Sequence, residues 1–364
     1  MNIHSTTASA LHQRAIVIDG HSDILMPIAD GKVRLKDRTR VPDPAVWQPP
    51  PEVENISGSL ASLTPHSYFF GPTGHYSLPQ WRAGGVTVQV CAIYLSDDQL
   101  GQALQRALKM VWWLHREVEE NDDLELITRA ADIGRVKQAG HVGALMALEG
   151  LEPLGAEPAF LDLFYKLGLR MAGLSHSRRN YFADGMQPDA HTGGLTPAGK
   201  DIVRRMNELG IVIDLAHLNQ AGFWDVLEHT TQPVVLSHSS ARSYFPKEGE
   251  HPTRYPPADI TRSRERLQAL AGNGGVFGVI FFRQASLAAI VADIEYLVEQ
   301  AGPAHVALGS DFYGITDAPA DLPDISYLPA LTDALARRGY SDDVILNILG
   351  GNYIRVFEQV WKES

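Results

Sequence analysis

Six short apolar runs between residues 15 and 311 each end in a His, Asp or Glu, and this recurrence constrains the fold more than any other feature of the chain. The first is Ile16-Val-Ile-Asp-Gly-His-Ser-Asp23, where a β-branched stretch stops at Gly20 and His21 and Asp23 follow two residues apart. Positions i and i+2 of an extended segment point the same way, so an imidazole and a carboxylate aim at one point, a good pairing for a divalent cation. Alone, a His-x-Asp pair is more often a capped turn after a strand. It gains weight from its companions: Glu149 follows the run 142–148, His176 follows 169–174, His217 follows 211–216, His238 follows 233–237 and Asp311 follows 305–309.

Two further runs, 86–95 and 275–281, bring the expected strands to eight. Helical periodicity falls between them at 98–120, at 196–209 with Pro197 in the first turn and Gly210 as the stop, and at 286–301. Residues 1–14 form a helical lead-in, and the tail from about Ser341, punctuated by Gly350-Gly351-Asn352, a closing helix pair. Strands alternating with helices imply parallel pairing, and eight such units without a second core imply an α/β fold, a closed (β/α)8 TIM-type barrel. The length of 364 residues is sufficient, since such barrels take about 250 and tolerate insertions. A single domain over 1–364 is expected, because a boundary inside 15–311 would break the ring. From about Leu25 to Gln80 the sequence turns Lys-, Arg-, Asp- and Pro-rich and loses its period, which predicts a long irregular insertion after the first strand, serving as a lid or binding loop. The Trp112-Trp113 pair is expected in the core.

The balance of 31 basic against 43 acidic residues, net −12, argues against nucleic acid or an anionic membrane as the main partner. The single Cys91 rules out an internal disulfide and suits a reducing compartment. There is no basic-then-apolar leader and no run of about 18 apolar residues, so the expectation is a soluble cytoplasmic protein with a small-molecule partner, a homodimer being left open.

In a barrel of this kind the C-terminal strand ends converge on one mouth, so His21, Asp23, Glu149, His176, His217, His238 and Asp311 would share a cavity. Of the fourteen histidines, His4, His12, His115 and His229 are expected at the surface, and His141 and His305 at the opposite face. Three strand-end histidines joined by several carboxylates need a metal or each other. The inferred division is two metals, with His21, Asp23 and Glu149 holding one and Glu149, His217 and His238 the other. Two cations about 3.5–4 Å apart polarise a carbonyl and activate a bridging water. Asp311 then suits a general base that later protonates a leaving amine, with a further metal ligand or a helix cap as alternatives. His176 suits substrate contact and oxyanion stabilisation, or it is a ligand.

Together Asp19-Gly-His-Ser-Asp23, Ala147-Leu-Glu-Gly150, Leu174-Ser-His176, Ile213-Asp-Leu-Ala-His217, Ser237-His-Ser-Ser240, Gly309-Ser-Asp-Phe312 and Gly350-Gly-Asn352 resemble the membrane dipeptidase (renal dipeptidase) family, peptidase family M19 of the amidohydrolase superfamily, over residues 15 to 360. The resemblance implies a (β/α)8 barrel with two zinc ions on His21, Asp23, Glu149, His217 and His238, His176 and Asp311 as catalytic residues, and hydrolysis of dipeptides, often with a D-residue at the C-terminal position. It further implies an arginine for the substrate carboxylate, best matched by Arg254 in Thr253-Arg-Tyr-Pro-Pro, with Arg242 as the alternative. Tyr313 stands where the family often has Asp, and Leu151 where it often has a second Gly. The leading expectation is therefore a zinc-dependent dipeptidase that attacks the peptide carbonyl with a metal-bridging hydroxide. The alternatives are an N-acyl amino acid deacylase or other amide or ester hydrolase using the same site, and a non-catalytic binding barrel.

Overall fold

The computed structural model describes residues 3–37, 77–186, 193–241, 258–282, 284–315 and 318–362. Its strands, in chain order, are β1 (Val17–Asp19), β2 (Val86–Ile93), β3 (Leu124–Leu126), β4 (Val142–Glu149), β5 (Leu169–Gly173), β6 (Val212–Asp214), β7 (Val235–Ser239), β8 (Val276–Val279) and β9 (Val306–Leu308). All pair in parallel, and eight of them close a ring in the order β1-β2-β4-β5-β6-β7-β8-β9, with β9 returning to β1. The barrel expected from the sequence is the fold observed.

The ring closes because each strand is apolar on both faces. In β4, Ala144, Met146 and Leu148 pack outward in the layer shared with the helices, while Leu145 and Ala147 pack inward with Ile18, Val88, Val90, Met171, Val212, Val235, Val276 and Ala307. A period of two then carries Glu149, the last residue of β4, to the inner face at the strand's C-terminal tip. Cys91 belongs to the outer set and is buried. Outside stand helices such as Ala103–Glu120, Pro197–Leu209 and Leu287–Ala301. Pro197–Leu209 starts at Thr196, whose side chain accepts from the Gly199 N–H, and ends at Gly210 in the left-handed region.

The helix Asn352–Val360 seals the other end. Tyr353, Phe357 and the following Trp361, spaced four apart, stack with centroid separations of 5.7 and 4.3 Å against the inner cluster. Polar groups from this tail bind carbonyls where strands begin: Arg355 to Gly274 and Ala304, Asn352 to Val306, and Trp361 to Arg170. The opposite mouth is the one left to the polar residues.

Several expectations need correction. A further strand, β3, pairs with the first residues of β4, Leu124 opposite Val142, before β5 takes over that edge at Met146, and it is followed by the helix Ala130–Ala139. The stretch from Leu25 to Gln80 carries short helices at Leu25–Ala29 and Leu78–Ala83, and residues 38–76 lie outside the described ones. Trp112 is 53% exposed, because Ala103–Glu120 turns it outward beneath Arg116, while Trp113 lies partly buried against the core under Arg34. His12 is buried, not at the surface, bonding Thr332 Oγ1 at 2.7 Å and the Gly84 carbonyl at 2.9 Å. Among the described residues no helix is long and apolar enough to cross a membrane.

Candidate metal centre

The strand tips set the site. Glu149 ends β4, His238 lies within β7, His21 and Asp23 follow β1, His176 follows β5, His217 follows β6 and Asp311 follows β9. The segment after β1 is tied to that after β9 by Asp23 N–H to the Phe312 carbonyl at 3.2 Å and Asp311 N–H to the His21 carbonyl at 3.3 Å. Two of these residues sit in the left-handed backbone region, His217 at φ 62° and Asp311 at φ 60°. For a side chain with a Cβ this conformation costs about 1–3 kcal/mol and persists where surrounding structure enforces it.

Glu149 occupies the centre. Its Oε2 lies 3.6 Å from His21 Nε2, and its Oε1 lies 2.9 Å from His217 Nε2, 3.7 Å from His238 Nε2 and 3.7 Å from His176 Nε2. His217 and His238 bring their Nε2 atoms within 2.8 Å of each other. On the other side His21 Nε2 is 3.8 Å from both Asp23 Oδ2 and Asp311 Oδ1. Among the described residues three sets of donors converge tightly enough for a cation: His21, Asp23 and Glu149; Glu149, His217 and His238; and His21, His238 and Asp311. Gly314 is required beside them, since a Cβ there would stand 2.2 Å from Asp311 Oδ1 and 2.3 Å from Asp23 Oδ2.

A divalent cation fits this donor set. Among the described residues His21 Nε2 and Asp23 Oδ1 are buried with no hydrogen-bond partner, which is costly unless something else coordinates them. Nitrogen and oxygen donors in this mixture suit zinc and related ions. Without a cation, protons are redistributed among the same groups. Burial opposes the charged His21 ring, yet Glu149 and Asp23 lift it well above the usual histidine range. Burial raises Glu149 too, but His21 and His217 hold it well below the usual range. Burial, with the Glu149 charge, pushes Asp23 up to about 6, and burial lifts Asp311 well above a normal carboxyl. His176 and His238 are driven well below the histidine range by burial and by neighbouring histidines, so both are neutral.

Around the donors lie groups that the sequence reading did not single out. Asp19 accepts from Ser310 N–H at 2.7 Å, Ser310 O–H at 2.6 Å and Gln89 Nε2 at 3.1 Å. Asp214 accepts from Ser237 N–H and O–H. Tyr94 places its ring 4.7 Å from that of His176. For Asp19, Ser237 and Asp214, their positions two, one and three residues before His21, His238 and His217 were the available signal; Tyr94 had none. Arg254 and Arg242 lie outside the described residues.

The sequence profile of the membrane dipeptidase family, peptidase family M19, matches residues 5–364. The chain belongs to that family. Its class of activity is that of a metal-dependent dipeptidase. Dipeptidase verJ of Clonostachys rogersoniana is 32% identical over 275 residues, which are 73% of this chain and 68% of that protein. Dipeptidase aclJ of Aspergillus oryzae is 30% identical over 320 residues, 82% of this chain and 72% of that one. Among solved structures, a Rhodobacter sphaeroides metallopeptidase liganded with a phosphinate mimic of L-Ala-D-Ala is similar with a TM-score of 0.74 and 26% identity, over 95% of this chain and 99% of that one. A family M19 dipeptidase gives a TM-score of 0.75 at 27% identity with the same coverage. The membrane dipeptidase barrel of this chain thus matches solved relatives nearly end to end.

Proposed function

We propose that this family member is a zinc-dependent dipeptidase in which His21, Asp23 and Glu149 hold one cation, Glu149, His217 and His238 hold a second, and Glu149 is shared. The observation that carries the reading is the split of the Glu149 carboxylate, with Oε2 turned to His21 and Oε1 to His217 and His238. His21 Nε2 and Asp23 Oδ1, buried without a hydrogen-bond partner among the described residues, support it. A bound pair of cations supplies Lewis acidity and lowers the pKa of a water, so that hydroxide is available near neutral pH.

The remaining work falls to the chain's own side chains. Asp311, its side chain 14% exposed, takes the water's proton and delivers it to the leaving amine as the C–N bond breaks. His176, neutral and packed against His217 at 4.0 Å between ring centroids, donates a hydrogen bond to the carbonyl oxygen as charge develops there. Arg254, or Arg242 in its place, pairs with the substrate carboxylate. The substrate is a dipeptide, with a D-residue accepted at the C-terminal position, a reading supported by the relative liganded with an L-Ala-D-Ala mimic. Residues 1–364 act as one hydrolase domain.

A second reading has an observation of its own: Asp311 converges with His21 and His238 closely enough to be a ligand. Asp311→Asn separates the two. As a proton carrier its loss costs about 10²–10⁴ in turnover with zinc content kept, whereas as a ligand its loss lowers zinc content. Near-normal turnover would sink both roles.

A further inference from the structure

Beside the centre, β6 and β7 are joined by a buried polar chain that the proposed mechanism does not use. Asp214 ends β6 and Ser237 lies in β7. Asp214 is 4% exposed, Ser237 0% and His238 4%. The Asp214 carboxylate accepts from Ala216 N–H at 3.0 Å and Ser237 N–H at 2.9 Å through Oδ1, and from the Ser237 hydroxyl at 2.5 Å through Oδ2. Ser237 Oγ in turn stands 2.9 Å from His238 Nδ1.

The direction of each bond follows from counting hydrogens. A carboxylate only accepts, and a hydroxyl has one hydrogen. That hydrogen is committed to Asp214, so Ser237 Oγ presents lone pairs to His238 Nδ1, and a bare Nδ1 would face them lone pair to lone pair. Nδ1 must therefore carry the proton. A neutral ring has only one, which leaves Nε2 bare, and Nε2 is the atom that lies 2.8 Å from His217 Nε2 and 3.7 Å from Glu149 Oε1. Across β1 and β9 the same clasp recurs, Ser310 N–H and O–H on Asp19, and there the residue after the serine is Asp311.

We propose that Asp214 and Ser237 form a relay that fixes the tautomer of His238, Nδ1–H bound to Ser237 and Nε2 free as a donor to the centre, which makes both of them positioning residues. The inference rests on His238 being a metal ligand, as read above. Partners of this kind orient a ligand ring and raise its basicity, and losing one lowers metal affinity about 10–100-fold.

The test uses the full chain, labelled with 15N-histidine and freed of metal, and assigns the His238 signals by their absence in His238→Ala. The wild-type spectrum should show the proton on Nδ1. Ser237→Ala, which keeps the backbone bond to Asp214, should give a mixture of tautomers and raise the zinc dissociation constant in chelator competition by about 10–100-fold, with the metal-free melting temperature near that of the parent. A wild-type proton on Nε2, or unchanged zinc affinity in Ser237→Ala, overturns the relay. If Ser237→Ala does not fold, the wild-type spectrum still decides. If His238→Ala and Glu149→Gln also bind zinc as the parent does, the metal reading fails and takes the relay with it.

Discussion

Gly314 illustrates how narrowly single residues define this site. Its missing side chain lets Asp23 and Asp311 approach each other, and a methyl group would stand within 2.3 Å of both carboxylates. Gly314→Ala is expected to lower zinc affinity by about tenfold or more with little loss of metal-free stability, measured by chelator competition and thermal melting. Asp23 gives a pH dependence. Burial and Glu149 push its carboxyl up to about 6, and a protonated carboxyl is not a ligand. Zinc uptake by the metal-free protein should therefore weaken as pH falls through about 6, adding to the proton competition that His21, lifted well above the usual histidine range, already imposes at higher pH. Equal affinity on both sides of that pH would contradict the assignment. The residues His21, Asp23, Glu149, His217, His238 and Asp311 were legible because each terminates an apolar run. The left-handed backbone of His217 and Asp311 was not, since nothing in the identity of a His or Asp fixes its φ.

At the scale of elements, the strands of the ring were legible because apolar runs such as Val86–Ile93 and Val142–Glu149 are buried along their whole length. The three-residue β3 was not, since Leu124-Glu-Leu126 is too short to show a period and owes its pairing to the edge of β4 that β5 leaves free. The relay through Asp214 was hidden for a related reason: it depends on β6 and β7 lying side by side, which no local pattern states. The closing helix Asn352–Val360 has a role the tail's punctuation did not disclose. It inserts Tyr353, Phe357 and Trp361 into the barrel's lower end. Phe357→Ala, truncating a fully buried ring stacked between two others, should cost about 3–5 kcal/mol. Denaturant unfolding measures this, and a loss typical of a surface position would contradict the sealing role.

The whole molecule separates two tasks between its two ends. The inner apolar layers and the aromatic helix close the lower mouth and hold the ring, while the upper mouth gathers groups that are individually costly to bury. Membership in the membrane dipeptidase family and the end-to-end likeness to solved relatives agree with that architecture. The most direct test of the central claim is turnover of a panel of dipeptides, L and D at the second position, by zinc-loaded protein, with Glu149→Gln as the control and N-acetylated dipeptides alongside. The account predicts cleavage of free dipeptides by the parent, loss of zinc and activity in Glu149→Gln, and poor turnover after N-acetylation. A zinc-replete parent that leaves every free dipeptide intact, or a Glu149→Gln variant as active as the parent, would contradict it.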